Sequence, residues 1–419
     1  MGSFAYLKKD PTLPSPKSVR ERKISPSMNH PTLDEPHIRA ILAEPYGRFS
    51  DAEFARRRHA LIEVMERNGC DALLICGEER AGTSVAWLTG WPTSSQATVL
   101  FQTGREDVLF VEHYNHVPNA REIARDADVR WARREGAKAA AEELAHRAAK
   151  RVGVIGLLSW AKQRQLAAGV DLVDLNEEYR RLRMRKSDEE IEWMRIGAAF
   201  SDLGLASLME NAAVGMTERE LGALVEQGYT RLGGTTVIHY IGVTAMENPS
   251  RCVPPQHHSS RRLQPGDVIF AEISGTFWDS PGQVLRTITV GAPPTPLYRR
   301  LHDTAEAAFR EITKILRAGV TAREIVATTG LIEEADFSIY DDIVHGYGGG
   351  YWPPVLGTAS RPAGLVPDMA LEANMTIVVQ PNVITRDEKA GVQTGEMLRI
   401  TETGFERMHA APQGLLRIE

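Results

Sequence analysis

Cysteine is scarce in this 419-residue sequence, and so are long apolar runs and any surplus of basic charge. Three cysteines (Cys70, Cys76 and Cys252) make neither a disulfide framework nor a metal knuckle, and they fit a reducing compartment. No apolar stretch approaches the roughly 18 to 20 residues a membrane helix needs, and no apolar signal core follows the start. The chain therefore reads as cytoplasmic, with no membrane partner. A net charge of −6 leaves no basic footprint for nucleic acid. What remains is ordinary: 42% hydrophobic and 25% charged residues place the chain among globular proteins, and its length calls for two domains.

Two stretches about 105 residues apart resemble each other. Gly215-Met216-Thr217-Glu218-Arg219-Glu220-Leu221 and Gly319-Val320-Thr321-Ala322-Arg323-Glu324-Ile325 both carry Thr-x-x-Glu ahead of apolar residues at helical spacing, so each predicts a capping box opening a helix. The echo continues from Leu263-Gln264-Pro265-Gly266 to Glu272 and from Leu371-Glu372-Ala373-Asn374 to Gln380, which sets Glu272 opposite Gln380. A helix-then-strands unit used twice predicts an α+β domain with an internal pseudo-twofold repeat and a pocket where the halves meet.

Ahead of the repeat, residues 1–36 hold much Pro, Ser, Lys and Arg and predict a flexible arm. Ser50 is placed to cap a helix that stops at Asn68-Gly69. Ala72–Cys76, Thr98–Phe101 and Val108–Val111 read as buried strands, and an Ala-rich helix is expected from Ala137 to Val152. The composition shifts at Arg180–Ser187, where Ser187 and Glu190 form another capping pair. The expected division is therefore a smaller α/β domain over 37–184 and the duplicated domain over 185–419.

Arg183-x-x-Lys186-Ser187-x-x-Glu190, Pro265-Gly266-Asp267, Leu285-Arg286-Thr287-Ile288-Thr289, His345-Gly346-Tyr347-Gly348, Gln380-Pro381-Asn382 and Ile400-Thr401-Glu402-Thr403-Gly404 occur in an informative order. The chain resembles the methionine aminopeptidase, prolidase and creatinase superfamily, over roughly residues 45 to 410. That resemblance implies a pita-bread catalytic domain behind a creatinase-type front domain, and a homodimer. It also implies, for the peptidases, two divalent metals held by two Asp, one His and two Glu. Carried onto this chain, those positions fall on Glu272, Gln283, His345, Gln380 and near Glu396.

Two of the four carboxylates have thus become amides, and hard divalent ions need charged oxygens. The expectation is accordingly no metal cofactor, with one ion on Glu272, His345 and Glu396 as the alternative. The superfamily contains creatinase and ectoine hydrolase, and Glu272-Ile273-Ser274-Gly275 and the Tyr351-Trp352-Pro353-Pro354 run resemble the latter. The function expected on that basis is metal-independent hydrolysis of a C–N bond in a small polar nitrogen compound: a cyclic amidine, guanidino acid or amide. A mononuclear metal-dependent lyase or hydrolase, or a silent peptidase-like binding module, are the competing readings. His345 is the expected acid–base group, its pKa raised by the carboxylates Glu272 and Glu396 facing a cationic nitrogen. Gln283 and Gln380 would position the substrate, with His257 and His258 on the substrate side. Tyr351 and Trp352 would wall the pocket or face a cation. Arg286 reads as structural, a partner for Glu272.

Overall fold

The helix Asp188–Asn211 is the spine to which both domains attach. Ser187 caps it, accepting from the Glu190 backbone N–H at 3.1 Å while the Glu190 carboxylate accepts from the Ser187 N–H at 3.0 Å, a closed capping box. The computed structural model describes residues 30–78 and 84–419.

The front domain is a six-stranded mixed sheet in the order Ala127–Trp131, Asp107–Val111, Ala97–Phe101, Ala72–Gly77, Arg151–Gly156, Asp171–Asp174. Its strands are apolar runs rather than alternations because helices lie against them. Ser50 caps the helix Asp51–Asn68, and Gly69 ends it in the left-handed region. The Ala-rich helix is shorter than the composition suggested: it stops at His146, Ala148 turns with φ 55°, and Val152 belongs to a strand. Most of the expected N-terminal arm lies outside the described residues. Its end, however, is anchored: Pro31–Asp34 is a short helix, and His30 bonds Asp202 of the spine helix at 3.1 Å.

Behind it, the second domain carries one large sheet, antiparallel along its main path. The strand order is Tyr351–Leu356, Val344–Tyr347, Thr376–Val379, Gly395–Ile400, Val284–Val290, Asp267–Phe277, Thr235–Ala245. The first four strands belong to the second half of the repeat and the last three to the first half. They meet where Val284 pairs with Glu396 and Leu285 with Gly395. Gly395 has φ 137°, and a Cβ there would lie 2.0 Å from the Val379 carbonyl, so only glycine fits at this seam.

The repeat holds in detail. Thr217 and Thr321 each open a helix with a complete capping box. Gly215 donates to the Leu263 carbonyl and Gly319 to the Leu371 carbonyl, both at 2.8 Å. Replacing either threonine by alanine should cost about 1 kcal/mol, read as a small, equal fall in Tm for Thr217→Ala and Thr321→Ala.

Alternation along Asp267–Phe277 splits the core in two. Ile269, Ala271 and Ile273 pack with the helices of the first half, while Val268 and Phe270 pack with those of the second. Glu272, two residues past Phe270, shares the second face. The domains are locked together at Glu190, whose Oε1 accepts from Trp87 Nε1 at 2.9 Å and from Arg57 Nη2 at 3.2 Å.

Candidate active site

Between the front domain and the sheet runs a cleft of about 2250 Å³. Glu272, Gln283, His345, Gln380, Tyr351 and Trp352 line it, six of the nine residues expected from sequence. Both halves of the repeat contribute: Glu272 and Gln283 from one, His345 and Gln380 from the other.

Glu272 is buried, 8% exposed at the cleft. Gln283 Nε2 donates to its Oε1 at 2.6 Å, and Tyr240 lies directly across the strand pair. Burial, then the neighbouring Asp341 and Asp342, push the Glu272 carboxyl up to about 8, against the Gln283 hydrogen bond. Asp342, 8% exposed, is raised to about 6 chiefly by burial, and Asp341, an exposed residue on the cleft wall, to about 7 by the protein around its carboxyl and by the Asp342 charge. Gln380 Nε2 donates to Asp342 Oδ1 at 3.2 Å, and the Tyr351 hydroxyl donates to Asp342 Oδ2. The His345 ring stacks on Tyr351, centroids 4.1 Å apart, with Nδ1 3.3 Å from the Gly346 carbonyl. A carbonyl only accepts, so the proton sits on Nδ1 and Nε2 keeps its lone pair.

Several expectations need correction. His345 does not hold an extra proton: burial pulls it down to about 4, outweighing Gly346 and Gln380. Glu396 does not face the cleft. Its oxygens take Arg286 Nη2 at 2.7 Å, Arg407 Nη2 at 3.0 Å and Gln413 Nε2 at 3.2 Å, and it is wholly buried. Burial there disfavours the charge, yet Arg407 and Arg286 hold the Glu396 carboxyl below its ordinary value. Arg286 is thus the partner of Glu396, not of Glu272. His257 is exposed, and His258 Nε2 donates to the His239 carbonyl at 2.7 Å, neither residue lining the cleft. Trp352 lines the cleft but gives its indole N–H to the Gly348 carbonyl at 2.7 Å, and the cation over its ring is Arg183 of the same chain. Sequence reasoning missed Asp341 and Asp342, although an Asp pair shortly before His345 was visible.

The metal pair implied by the resemblance meets donors that do not fit it. Gln283 and Gln380 are neutral, and Glu396 is saturated by guanidinium and amide donors. Glu272, His345 and Glu396 are not brought together as a single-ion site either. Among the described residues, only Glu35, His37 and Glu192 bring three possible ligand atoms within 4.8 Å of one another, and Arg195 bonds both of those carboxylates.

Comparison with known proteins bears on the chemistry. Residues 192–402 match the model of metallopeptidase family M24, and residues 57–185 match the creatinase/prolidase N-terminal domain. An Xaa-Pro dipeptidase of Pyrococcus horikoshii is 21% identical over 364 residues, 85% of this chain and 97% of that protein. An uncharacterized hydrolase/peptidase of Sinorhizobium fredii is 27% identical over 392 residues, 88% of this chain and 97% of its own. Among solved structures, an X-Pro aminopeptidase from Thermotoga maritima superposes with a TM-score of 0.73 at 20% identity, covering 86% of this chain and 99% of that one. The last likeness concerns the fold alone, and it agrees with a pita-bread domain behind a creatinase-type front domain.

These matches overturn two expectations. A family described as metallopeptidases, with relatives named dipeptidases, points to peptide hydrolysis rather than to a non-peptide C–N bond. The same description sets aside the expectation of no metal cofactor, even though this chain's own donors depart from a two-ion set. No helix among the described residues is long and apolar enough to cross a membrane. With half its length matched by one family model and the front domain by its usual companion, the chain belongs to metallopeptidase family M24, a family of hydrolases.

Proposed function

We propose that this chain hydrolyses the amide bond of a small peptide, of dipeptide size, held between a front domain over 37–184 and a catalytic domain over 185–419. The observation that carries this reading is Glu272: a buried carboxyl pushed up to about 8 at the floor of a cleft, where the relatives are named dipeptidases. A carboxyl that titrates near neutral pH is suited to proton transfer in both directions.

In this reading Glu272 carries a proton at neutral pH and delivers it to the nitrogen of the departing amine as the C–N bond breaks, while the water's oxygen bonds to the carbonyl carbon and the proton that water gives up restores Glu272. His345 is neutral, and its Nε2 lone pair accepts a hydrogen bond from the attacking water. Gln283 holds the Glu272 carboxyl in place through its N–H, and Tyr351 fixes the His345 ring by stacking. Gln380 steadies Asp342 beside them. The front domain shields the reacting bond from bulk water, which strengthens each of these contacts.

A panel of dipeptides, with Xaa-Pro members included, tests the reading through release of free amino acid, with and without added Mn²⁺. Hydrolysis is expected for at least one member, with optimal rate near neutral pH. A panel left intact under both conditions sinks the proposal.

A further inference from the structure

The repeat departs from itself at two places in its first helix, and both departures serve one loop. Glu218 is matched in the second copy by Ala322, and Gly222 by Val326. The capping box closes as well ahead of Ala322, so helix formation does not call for the Glu218 carboxylate. That carboxylate is nevertheless wholly buried. Its Oε1 accepts from the Val243 N–H at 3.0 Å and from Arg251 Nη1 at 3.2 Å, and its Oε2 from the Ser259 N–H at 2.8 Å. Charge-assisted bonds of this kind are strong and fix what they hold. Gly222, unfavourable inside a helix, makes room for the His258 ring, since a Cβ there would lie 2.4 Å from His258 Cε1. The seated ring donates from Nε2 to the His239 carbonyl.

The segment clamped in this way connects the strands Thr235–Ala245 and Asp267–Phe277, and its middle, Val253-Pro254-Pro255, lines the cleft. Strand alternation places it beside the reacting groups. Tyr240 stands directly opposite Glu272 and Ile238 opposite Ser274, so Ile238 and Tyr240 share the Glu272 face. Gly242 is the next residue on that face. A Cβ on it would lie 2.9 Å from Pro254 Cα and 3.0 Å from Pro255 Cδ, so the prolines rest directly on the strand next to Tyr240. Ile238, Tyr240, Val253, Pro254 and Pro255 are all partly open to the cleft, and none carries charge. Prolines and a clamp at either side leave this surface little freedom to lose when a ligand arrives.

We propose that Ile238, Tyr240, Val253, Pro254 and Pro255 form a specificity wall for a bulky apolar side chain of the peptide, and that Glu218, with His258 in its Gly222 socket, is the positioning residue that holds the wall in place. The inference rests on the peptidase reading above and names its substrate class. An apolar side chain laid on the wall leaves water beside Glu272, whereas a charged one would lose hydration there without gaining a partner.

Dipeptides that differ in one side chain, Leu against Gly, test this on the full chain, with the exchange made at each end in turn. At one end kcat/KM is expected to favour Leu by at least about tenfold. Gly222→Val installs the residue of the second copy and displaces the His258 ring. It should bring that ratio near one, the loss appearing in KM for the Leu peptide, while a merely structural role would lower kcat for both peptides together. Glu218→Ala should do the same, with circular dichroism confirming that each variant folds. Hydrogen–deuterium exchange over residues 251–259 needs no turnover, and it should be at least about tenfold faster in Gly222→Val than in wild type. Hydrolysis without preference for Leu would overturn the wall and keep the peptidase reading. A Leu preference that survives both substitutions, or exchange equally fast in wild type, would overturn the clamp. In a chain that hydrolyses neither peptide, N-acetyl-L-leucinamide and N-acetylglycinamide decide. Slower exchange over 251–259 with the first alone would retain the wall and reject the peptidase reading, and no difference between them would overturn both.

Discussion

Glu272→Gln is expected to lower kcat/KM for peptide hydrolysis by roughly 10²- to 10⁴-fold, the usual contribution of a positioned proton-transfer group. The amide retains the shape and the contact with Gln283 but cannot give up or take a proton at the leaving nitrogen. The same substitution should make the protein more stable at alkaline pH. The sign follows from the raised carboxyl: between its ordinary value of 4.5 and about 8, the folded chain keeps a proton that the unfolded chain has released. Stability therefore falls as pH rises across that window. Asp341 and Asp342 act in the same sense, from 3.8 up to about 7 and about 6. Without added divalent ion, wild-type Tm should fall from pH 5 to pH 8.5 on account of these groups. In Glu272→Gln the fall should be shallower, and the gap between the two proteins should vanish near pH 4. Lost activity with a parallel loss of stability at every pH would show that Glu272 is only structural.

Glu396→Leu is expected to act in the opposite way. Glu396 accepts from Arg286, Arg407 and Gln413 at the seam between the two halves. Removing the carboxylate leaves the Arg286 guanidinium buried without its counter-charge, and breaking such a pair typically costs about 3–5 kcal/mol. For a domain of this size Tm should drop by roughly ten degrees. The protein that stays folded at low temperature should hydrolyse peptide as wild type does, because Glu396 does not line the cleft. A variant of unchanged Tm with abolished hydrolysis would return Glu396 to the site.

These two carboxylates mark the limit of what the sequence could disclose. Glu272 was readable because its strand follows a Pro-Gly-Asp turn and its counterpart in the repeat is Gln380. The helix starts at Thr217 and Thr321 were equally plain, since a capping box is a local pattern of four residues. Glu396 looked equivalent to Glu272 by position, but its role is set by Arg407 and Gln413 in the segment that folds back beneath it. No local pattern encodes that return. His345 was assigned to the right place and the wrong charge: proximity to carboxylates suggested a raised pKa, whereas near-complete burial against Tyr351 dominates. Asp341 and Asp342 escaped notice because they lie in a loop, and only the sheet's assembly turns that loop toward Glu272.

Arg286 carries a consequence for how this chain emerges from the ribosome. Its guanidinium donates to Gly395, Glu396 and Pro412, which lie 109, 110 and 126 residues later. The edge of its strand is completed by Gly395–Ile400 and, in parallel, by Leu416–Ile418. The two halves look like copies, yet the arginine of the earlier one waits for partners that are synthesised 109 to 126 residues later. Synthesis from the N-terminus normally favours stepwise folding of successive units. Here the second copy acts as the clasp of the first, and the two halves close as one piece.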